Sequence, residues 1–456
     1  PWHDPVDFEI AERHNLDKEQ IIDEQGKLLT IAGEFAGIHI KKARPLIIEK
    51  LKSKGLVNKI DNNYKHVVRT CYKCGTLIEP QIKSQWFVKM KPLAEKALEK
   101  IKKGEIKYIP EHYEKISVHW LTNIIDWNIS RQIVWGIPIP AKLCHVCDQG
   151  FVDLDDKIKE CPKCGGEVVK DNDTFDTWFS SGQWPFATLG FPDNADFKNF
   201  YPTDVMETAG EIIFFWVSRM IMLGLYVTGQ IPFKTVYLHG LVLDAKGLKM
   251  SKSKGNVINP LDLTDKFGTD AFRMGLVIGN TPGTSLALSE DKISAYKKFA
   301  NKLWNIGRFI LTIALPAGED RVSTFSLKNE ETRSSPRGQG AIDNYYTKAD
   351  LELNKELDDL IADITTDMDN YRFYLAAEKI YHYVWHRYAD VIIEESKPIL
   401  SKTGSAEALS RQVFLISALE KILKVLHPFM PFITEEIWSH MPIQNKKLLM
   451  VEKWPD

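Results

Sequence analysis

From Ser289 onward the apolar residues fall on a helical period. Ile293, Tyr296, Phe299, Ala300, Leu303, Ile306, Phe309, Ile310 and Ile313 recur at spacings of mostly three and four, with Glu290 and Asp291 in the first turn. From Pro316 to about Asn344 the pattern gives way to Gly, Ser, Pro and Arg, which reads as a flexible linker. Helical periodicity resumes at Ala349 and continues to about Met441. Upstream, residues 201–283 alternate: an apolar helix over Glu211–Tyr226, a strand over Thr235–Leu243, a glycine, lysine and serine loop, then a helix capped by Thr269. Alternation of this kind predicts βα units on a parallel sheet. Residues 1–70 are mixed, with helices predicted at Phe8–His14 and Pro45–Lys54; Pro45 suits the first turn of the second and Gly55 its stop. Gln85–Val88 reads as a strand, and Ala94–Lys103 as an amphipathic helix whose lysines form a solvated face. The predicted fold class is α/β followed by all-α.

Composition narrows this little. With 456 residues, 44% hydrophobic and 26% charged, the chain has the make-up of a soluble globular protein of about three domains. A net charge of −2 argues against a polybasic coat but leaves room for a local basic groove. The most membrane-like stretch, Ile212–Val227, is interrupted by Ser218 and Arg219 and falls short of the roughly 20 apolar residues a span needs, so a buried helix and a cytoplasmic protein are expected. No initiator Met or signal peptide opens the chain, and Pro1–Asp7 already reads as folded protein, so part of a longer polypeptide is expected.

The cysteines change the picture more. All six sit in CxxC pairs, Cys71/Cys74, Cys144/Cys147 and Cys161/Cys164, in a chain too long and too cysteine-poor for a disulfide scaffold. Cys144, Cys147, Cys161 and Cys164 form two knuckles separated by 13 residues, which suits an all-thiolate structural Zn2+ site. Cys71/Cys74 is a half site; either its partner pair lies outside this chain or it is a bare turn.

Gly247–Asn256 follows a predicted strand and precedes a helix-forming segment. Its three lysines and two hydroxyls between glycines suit a polyphosphate, because ammonium groups neutralise charge that builds on the phosphates in a transition state. Such a loop alone is weak evidence, since most are solvated turns. Here Lys-Met-Ser-Lys-Ser-x-Gly-Asn from Lys249, preceded by His239-Gly240-Leu241-Val242-Leu243-Asp244, resembles the second signature of the class I aminoacyl-tRNA synthetases. The resemblance implies catalytic contacts to ATP from Lys249, Lys252 and Ser253, and places His239 and Gly240 near the adenosine.

The likeness extends over nearly the whole chain. Asp126–Gln132 and Trp135–Pro140 match the synthetases for branched aliphatic amino acids, and Asp176–Ser181 and Glu207–Met220 look like the valyl branch of them. That implies Trp178 and Trp216 as walls of a small apolar pocket for valine; ordinary core packing is the plain alternative for both. Glu211 stands where the family usually has Asp. Phe299–Asn305 and Leu426–Trp438 resemble a helical anticodon-binding domain, with His427 read as a packing residue. His3–Asp7 resembles the end of the editing domain, which would put Asp4 and Asp7 in a pocket where a carboxylate meets an aminoacyl ammonium group. For Asp4 a helix N-cap is the plain alternative. Editing has a physical motive, since an apolar pocket rejects isosteric threonine poorly, a limit for which the valyl enzymes are the standard illustration.

The resemblance therefore implies the second half of a Rossmann-like parallel-sheet catalytic domain with a zinc ribbon insertion, followed by a helical-bundle anticodon-binding domain. The expected division is 1–70 for the end of the editing domain and 71–283 for catalysis, with the ribbon at 144–164 and the loop at 249–253. A helical connection over 284–315, a linker over 316–344 and an anticodon-binding domain over 345–456 follow. It implies ATP and Mg2+ besides Zn2+, tRNA and valine as partners, a monomer, and neither DNA nor membrane. The family's His-x-Gly-His signature, which contacts the ATP phosphates, does not occur in these 456 residues, so the chain is expected to be an incomplete enzyme. An isoleucyl enzyme and a non-catalytic zinc-containing tRNA-binding module are the alternatives.

Overall fold

The computed structural model describes residues 3–455, apart from 66, 72, 73, 252–254, 315–345 and 444. The chain divides into two compact units, one of Pro1–Val88 with Asn128–Thr174 and one of Lys89–Trp127 with Phe175–Asp456. The expected linker over 316–344 lies outside the described residues.

In the first unit a helix spans Pro5–His14 and is stopped by Asn15 in the left-handed region. The second helix covers Ile40–Ser53, starting five residues before the expected Pro45. Its start is set by His39, whose ring accepts the Lys41 N–H, so Pro45 lies inside the helix and denies the Lys41 carbonyl its usual i+4 donor. Gly55, at φ +67, ends it as expected. Ile22, Leu28, Ile40 and Ala43 make a small core with Phe35, Ile38 and Ile47 against it. His3 knits the segment together: one ring nitrogen lies 2.9 Å from the Pro80 carbonyl, and the other accepts from the Ile21 and Ile22 N–H groups. Of the expected strand Gln85–Val88 only Phe87–Val88 is regular. Three antiparallel strands complete the unit, with Ala141–Cys144 between Gln149–Val152 and Val168–Lys170. Trp86 lies over this ribbon. Its indole donates to Asp171 at 2.6 Å, and a Cβ on Gly150 would come within 2.7 Å of the ring.

The second unit is built on a parallel sheet in the order Lys107–Ile109, Phe233–His239, Thr203–Ala209. Phe233, Val236 and Leu238 bury the central strand. The strand expected over Thr235–Leu243 breaks after His239; Val242–Leu243 then pairs in parallel with Leu286–Ala287. The expected helix Glu211–Tyr226 is three pieces: a 3-10 turn at Gly210–Ile212, a π turn at Ile213–Val217, and an α-helix over Ser218–Thr228. By length and composition Gly210–Thr228 could cross a membrane, but half of it is buried in the protein, Arg219 included, and it is a core helix. Thr269 is the first residue of the helix Thr269–Val277 rather than its cap, because Gly268 at φ +91 takes that position. An additional helix, Pro260–Phe267, precedes it, capped by the Asn259 side chain.

The remainder is helical: Glu290–Ala314, Lys348–Asp369, Phe373–His382, a π-helical Tyr383–Ile393, Glu394–Leu400, Ala406–Leu426 and Pro431–Ser439. The predicted apolar stripe is the buried one, with Ile293, Phe299 and Leu303 fully enclosed. One core runs from Leu263 through Met274 and Phe299 to Trp438 and Leu449. At the joint between the last two α-helices, Asp270 accepts the Phe432 and Ile433 N–H groups while Arg273 donates to the Pro428 and Phe429 carbonyls. Burial raises the Asp270 pKa against those backbone donors. Inside the bundle Asp350 is held by Ser410 and Arg411, and Arg411 also donates to Ser396.

Candidate functional site

The lysine and serine loop is organised at its base. After Leu243 the chain turns at Asp244–Gly247, and Gly247 adopts φ +74 so that Leu248 can return its carbonyl to the Asp244 N–H at 3.0 Å. Asp244 accepts from the Lys246 and Leu248 N–H groups on one oxygen and from the Asn256 amide on the other. Asn256, on the far side of the loop, in turn accepts the Ser251 N–H at 2.9 Å. The two ends of the loop are thus clasped by one Asp–Asn pair, and the Asn256 amide with the Leu248 N–H holds Asp244 below the usual carboxylate range. Lys249 reaches Glu211 at 3.0 Å; both side chains are more than half exposed, so the pair orients the lysine more than it stabilises the fold. Lys252 and Ser253 lie outside the described residues.

His239 ends the central strand and pairs through Nδ1 with Glu207 of the neighbouring strand. The next residue, Gly240, lies hard against another segment. A Cβ on Gly240 would stand 2.0 Å from the Thr284 carbonyl oxygen and 2.5 Å from the Ser285 nitrogen. That approach lets the Ser285 hydroxyl take the Leu241 N–H and Leu286 bond the Leu241 carbonyl, which carries the chain on to Val242–Leu243. Gly240→Ala must displace backbone, and is expected to cost about 2–3 kcal/mol. Urea titration checks this, and an unchanged midpoint would refute it.

The two expected pocket tryptophans lie close to one aromatic group. Trp178, in the short helix after Asp176, stacks at 6.0 Å on Phe215 of the π turn. Trp216 donates its indole N–H to the Ser181 carbonyl at 3.0 Å. The π turn puts Phe214, Phe215 and Trp216 on successive positions, so that Phe214 also meets Trp120 at 4.8 Å. Arg219 lies 3.8 Å from the Trp127 ring centre, and Trp127 donates to Asp176 at 2.8 Å. Arg219 and Asp176 are both buried and 3.8 Å apart, and the Arg219 guanidinium also lies 5.8 Å and 5.7 Å from the Phe214 and Phe215 ring centres. Sequence reading did not find this buried pair. Its only signal was an arginine inside an apolar helix.

The Cys144, Cys147, Cys161 and Cys164 sulfurs lie within 4.8 Å of one another, with Cys144–Cys164 at 3.5 Å and Cys147–Cys161 at 3.6 Å. A tetrahedral zinc thiolate shell has sulfur–sulfur edges of about 3.8 Å, so the four fit a Zn2+ ion. The second knuckle is closed by Cys161 N–H to the Gly166 carbonyl and Gly165 N–H to the Cys161 carbonyl. Cys71 repeats that pattern: its N–H bonds the Thr76 carbonyl, and the Gly75 N–H bonds its own carbonyl. Cys71/Cys74 is therefore shaped as a knuckle, although among the described residues no further His, Cys, Asp or Glu joins it.

Asp4 uses one carboxylate oxygen to cap the first helix, accepting from Val6 at 2.8 Å and Asp7 at 3.1 Å. Asp7 is exposed in the first turn of that helix, where an acid suits the dipole. His427 bonds Thr434 and packs at the helix joint; burial lowers its pKa.

Comparison with known proteins gives two domain matches. Residues 7–289 match the family model of tRNA synthetases class I (I, L, M and V), and residues 350–456 that of the anticodon-binding domain of tRNA ligase. The valine--tRNA ligase of Clostridium tetani is 40% identical over 460 residues, covering 100% of this chain and 50% of the relative. That of Petrotoga mobilis is 42% identical over 459 residues, with the same coverage. The chain thus spans about half the length of the curated relatives it matches. Among solved structures, Mycobacterium tuberculosis methionyl-tRNA synthetase in complex with methionyl-adenylate superposes with a TM-score of 0.59, covering 95% of this chain and 79% of that one. At 18% identity it speaks for the fold alone.

Proposed function

The chain belongs to the class I tRNA synthetases of the I, L, M and V group, and on that premise we propose that it serves the ATP-dependent attachment of valine to tRNA. The observation that carries this is identity of about 40% to valine--tRNA ligases along the entire chain. In this reading Lys249, Lys252 and Ser253 meet the ATP phosphates, His239 and Gly240 border the adenosine, and Mg2+ accompanies the nucleotide. Trp178 and Trp216 bound the valine side chain; their nearness to Phe215 and Ser181 supports that, because small apolar pockets need rigid walls. Zn2+ holds the Cys144–Cys164 ribbon, and Cys71/Cys74 takes a second ion with ligands from outside these residues. The helices over 345–456 form the anticodon-binding domain. Residues 1–70 belong to an editing domain, with Asp7 the more available of its two carboxylates, since Asp4 is engaged as a cap. The protein acts in the cytoplasm.

Valine-dependent ATP–pyrophosphate exchange tests this. The 456-residue chain alone is expected to be inactive for want of His-x-Gly-His, and a polypeptide that includes both signatures to be active. In the latter, Lys252→Ala should lower kcat by a factor on the order of 100 with little change in valine KM, because the lysine is needed most where charge develops. Exchange driven by isoleucine in preference to valine would overturn the assignment.

A further inference from the structure

Charge is distributed unevenly in the first unit. Residues 36–65 carry eight Lys or Arg against Glu49 and Asp61, a net of +6, while the whole chain is at −2 and the other 426 residues therefore at −8. Most of this charge rides on the helix Ile40–Ser53 and the turn after it. Arg44 is paired with Glu79, Lys50 with Glu34, and Lys59 approaches Asp61 at 3.9 Å. Lys41, Lys42, Lys52 and Lys54 are exposed and, among the described residues, have no carboxylate partner.

Local stability accounts for Lys52 and Lys54, which sit at the C-terminal end where the helix dipole favours cations, but not for the other two. Lys41 and Lys42 occupy the first turn, where the helix dipole repels cations, and no acidic residue is there to offset it. Pro45 removes a backbone bond from the same helix, and Leu46, Ile48 and Leu51 are left 44%, 43% and 38% exposed. The buried side of the helix is Ile40, Ala43 and Ile47. On a 100° wheel Lys41 and Lys52 fall on nearly the same line, on the opposite side, with Ile48 beside it and about 16 Å of rise between them. A helix whose first turn holds two exposed cations against its own dipole, with no acid to offset them, carries charge that its own stability does not call for.

We propose that this helix and the turn at Lys54 form a binding surface for the phosphate backbone of RNA, separate from the anticodon-binding helices. A polyanion is the complement of an exposed cationic surface, and long lysine side chains reach phosphates without needing fixed geometry. The choice of tRNA among polyanions rests on the function proposed above. The exposed aliphatic residues also suit an anionic lipid surface, which the experiment separates.

Binding of a tRNA transcript to the 456-residue chain is measured from about 50 to 200 mM salt, for the wild type, for K41Q/K42Q/K52Q/K54Q, and for the same four positions changed to Arg. Loss of four phosphate contacts should make the slope of log affinity against log salt shallower by about 3, and weaken binding at least roughly tenfold at low salt, while the Arg variant matches the wild type. An unchanged slope in the Gln variant overturns the surface but leaves the synthetase assignment standing. No tRNA binding by the wild type at all also overturns the surface, while the valine assignment stands or falls by the exchange assay. Vesicles containing phosphatidylserine that bind the wild type and lose the Gln variant, with RNA binding unaltered, overturn it in favour of lipid.

Discussion

Cys161→Ser is expected to abolish metal binding and unfold residues 141–170, leaving the helical bundle folded. The ribbon has little else to hold it: strands of four, four and three residues, with Ile139, Ala141, Cys144 and Cys161 its buried side chains of apolar class. A structural zinc site supplies on the order of 10 kcal/mol or more to small zinc-dependent folds, far above what so few buried residues can give. A strong chelator should have the same effect as the substitution. Hydrogen exchange across Ala141–Cys144 measures it, and protection that survives in the metal-free protein would show that the knuckles fold unaided.

Asp350→Ala should be the most damaging single change in the helical part, at about 3–5 kcal/mol. Asp350 and Arg411 are 1% and 6% exposed, so removing the carboxylate strands a guanidinium where water cannot reach it. Ser410 loses its partner as well, and with it the Thr347 N–H loses part of its support at the start of the helix Lys348–Asp369. The double variant D350L/R411M removes both charges and should recover most of the loss. The unfolding midpoints of the three proteins in urea give the comparison; equal damage from single and double variants would mean that packing, not an unpaired charge, is responsible.

The helical half was legible because burial there depends on period alone. Ile293, Phe299, Leu303 and Ile310 lie inside, as their spacing required. The ribbon was legible because CxxC spacing encodes its own turn. What escaped were features made by residues far apart in sequence. Glu211 meets Lys249 across 38 positions, and Asp176 comes beneath Trp127 across 49, with nothing local to announce either. The π turn was missed because an apolar run of Ile213–Val217 reads the same at 3.6 or 4.4 residues per turn. The break at Gly240 was missed because alternation continues through it; the close approach of Thr284 that forces it is a tertiary fact. Pro45 misplaced a helix start because proline statistics outweighed a histidine cap that sequence rules seldom count.

The core that runs from Leu263 to Leu449 crosses the border between the two family matches, at 289 and 350. Two names in sequence are therefore one object in thermodynamics. A cut at that border would lay bare Ala271, Met274, Ile293 and Phe299 on one side or the other, and free Asp270 and Arg273 from the backbone groups they grip. Pieces made there would inherit sticky faces in place of a hinge. The helices that match the anticodon-binding domain thus share one apolar core with the helices that precede them, and damage on either side of the border is expected as a loss of cooperativity across that core.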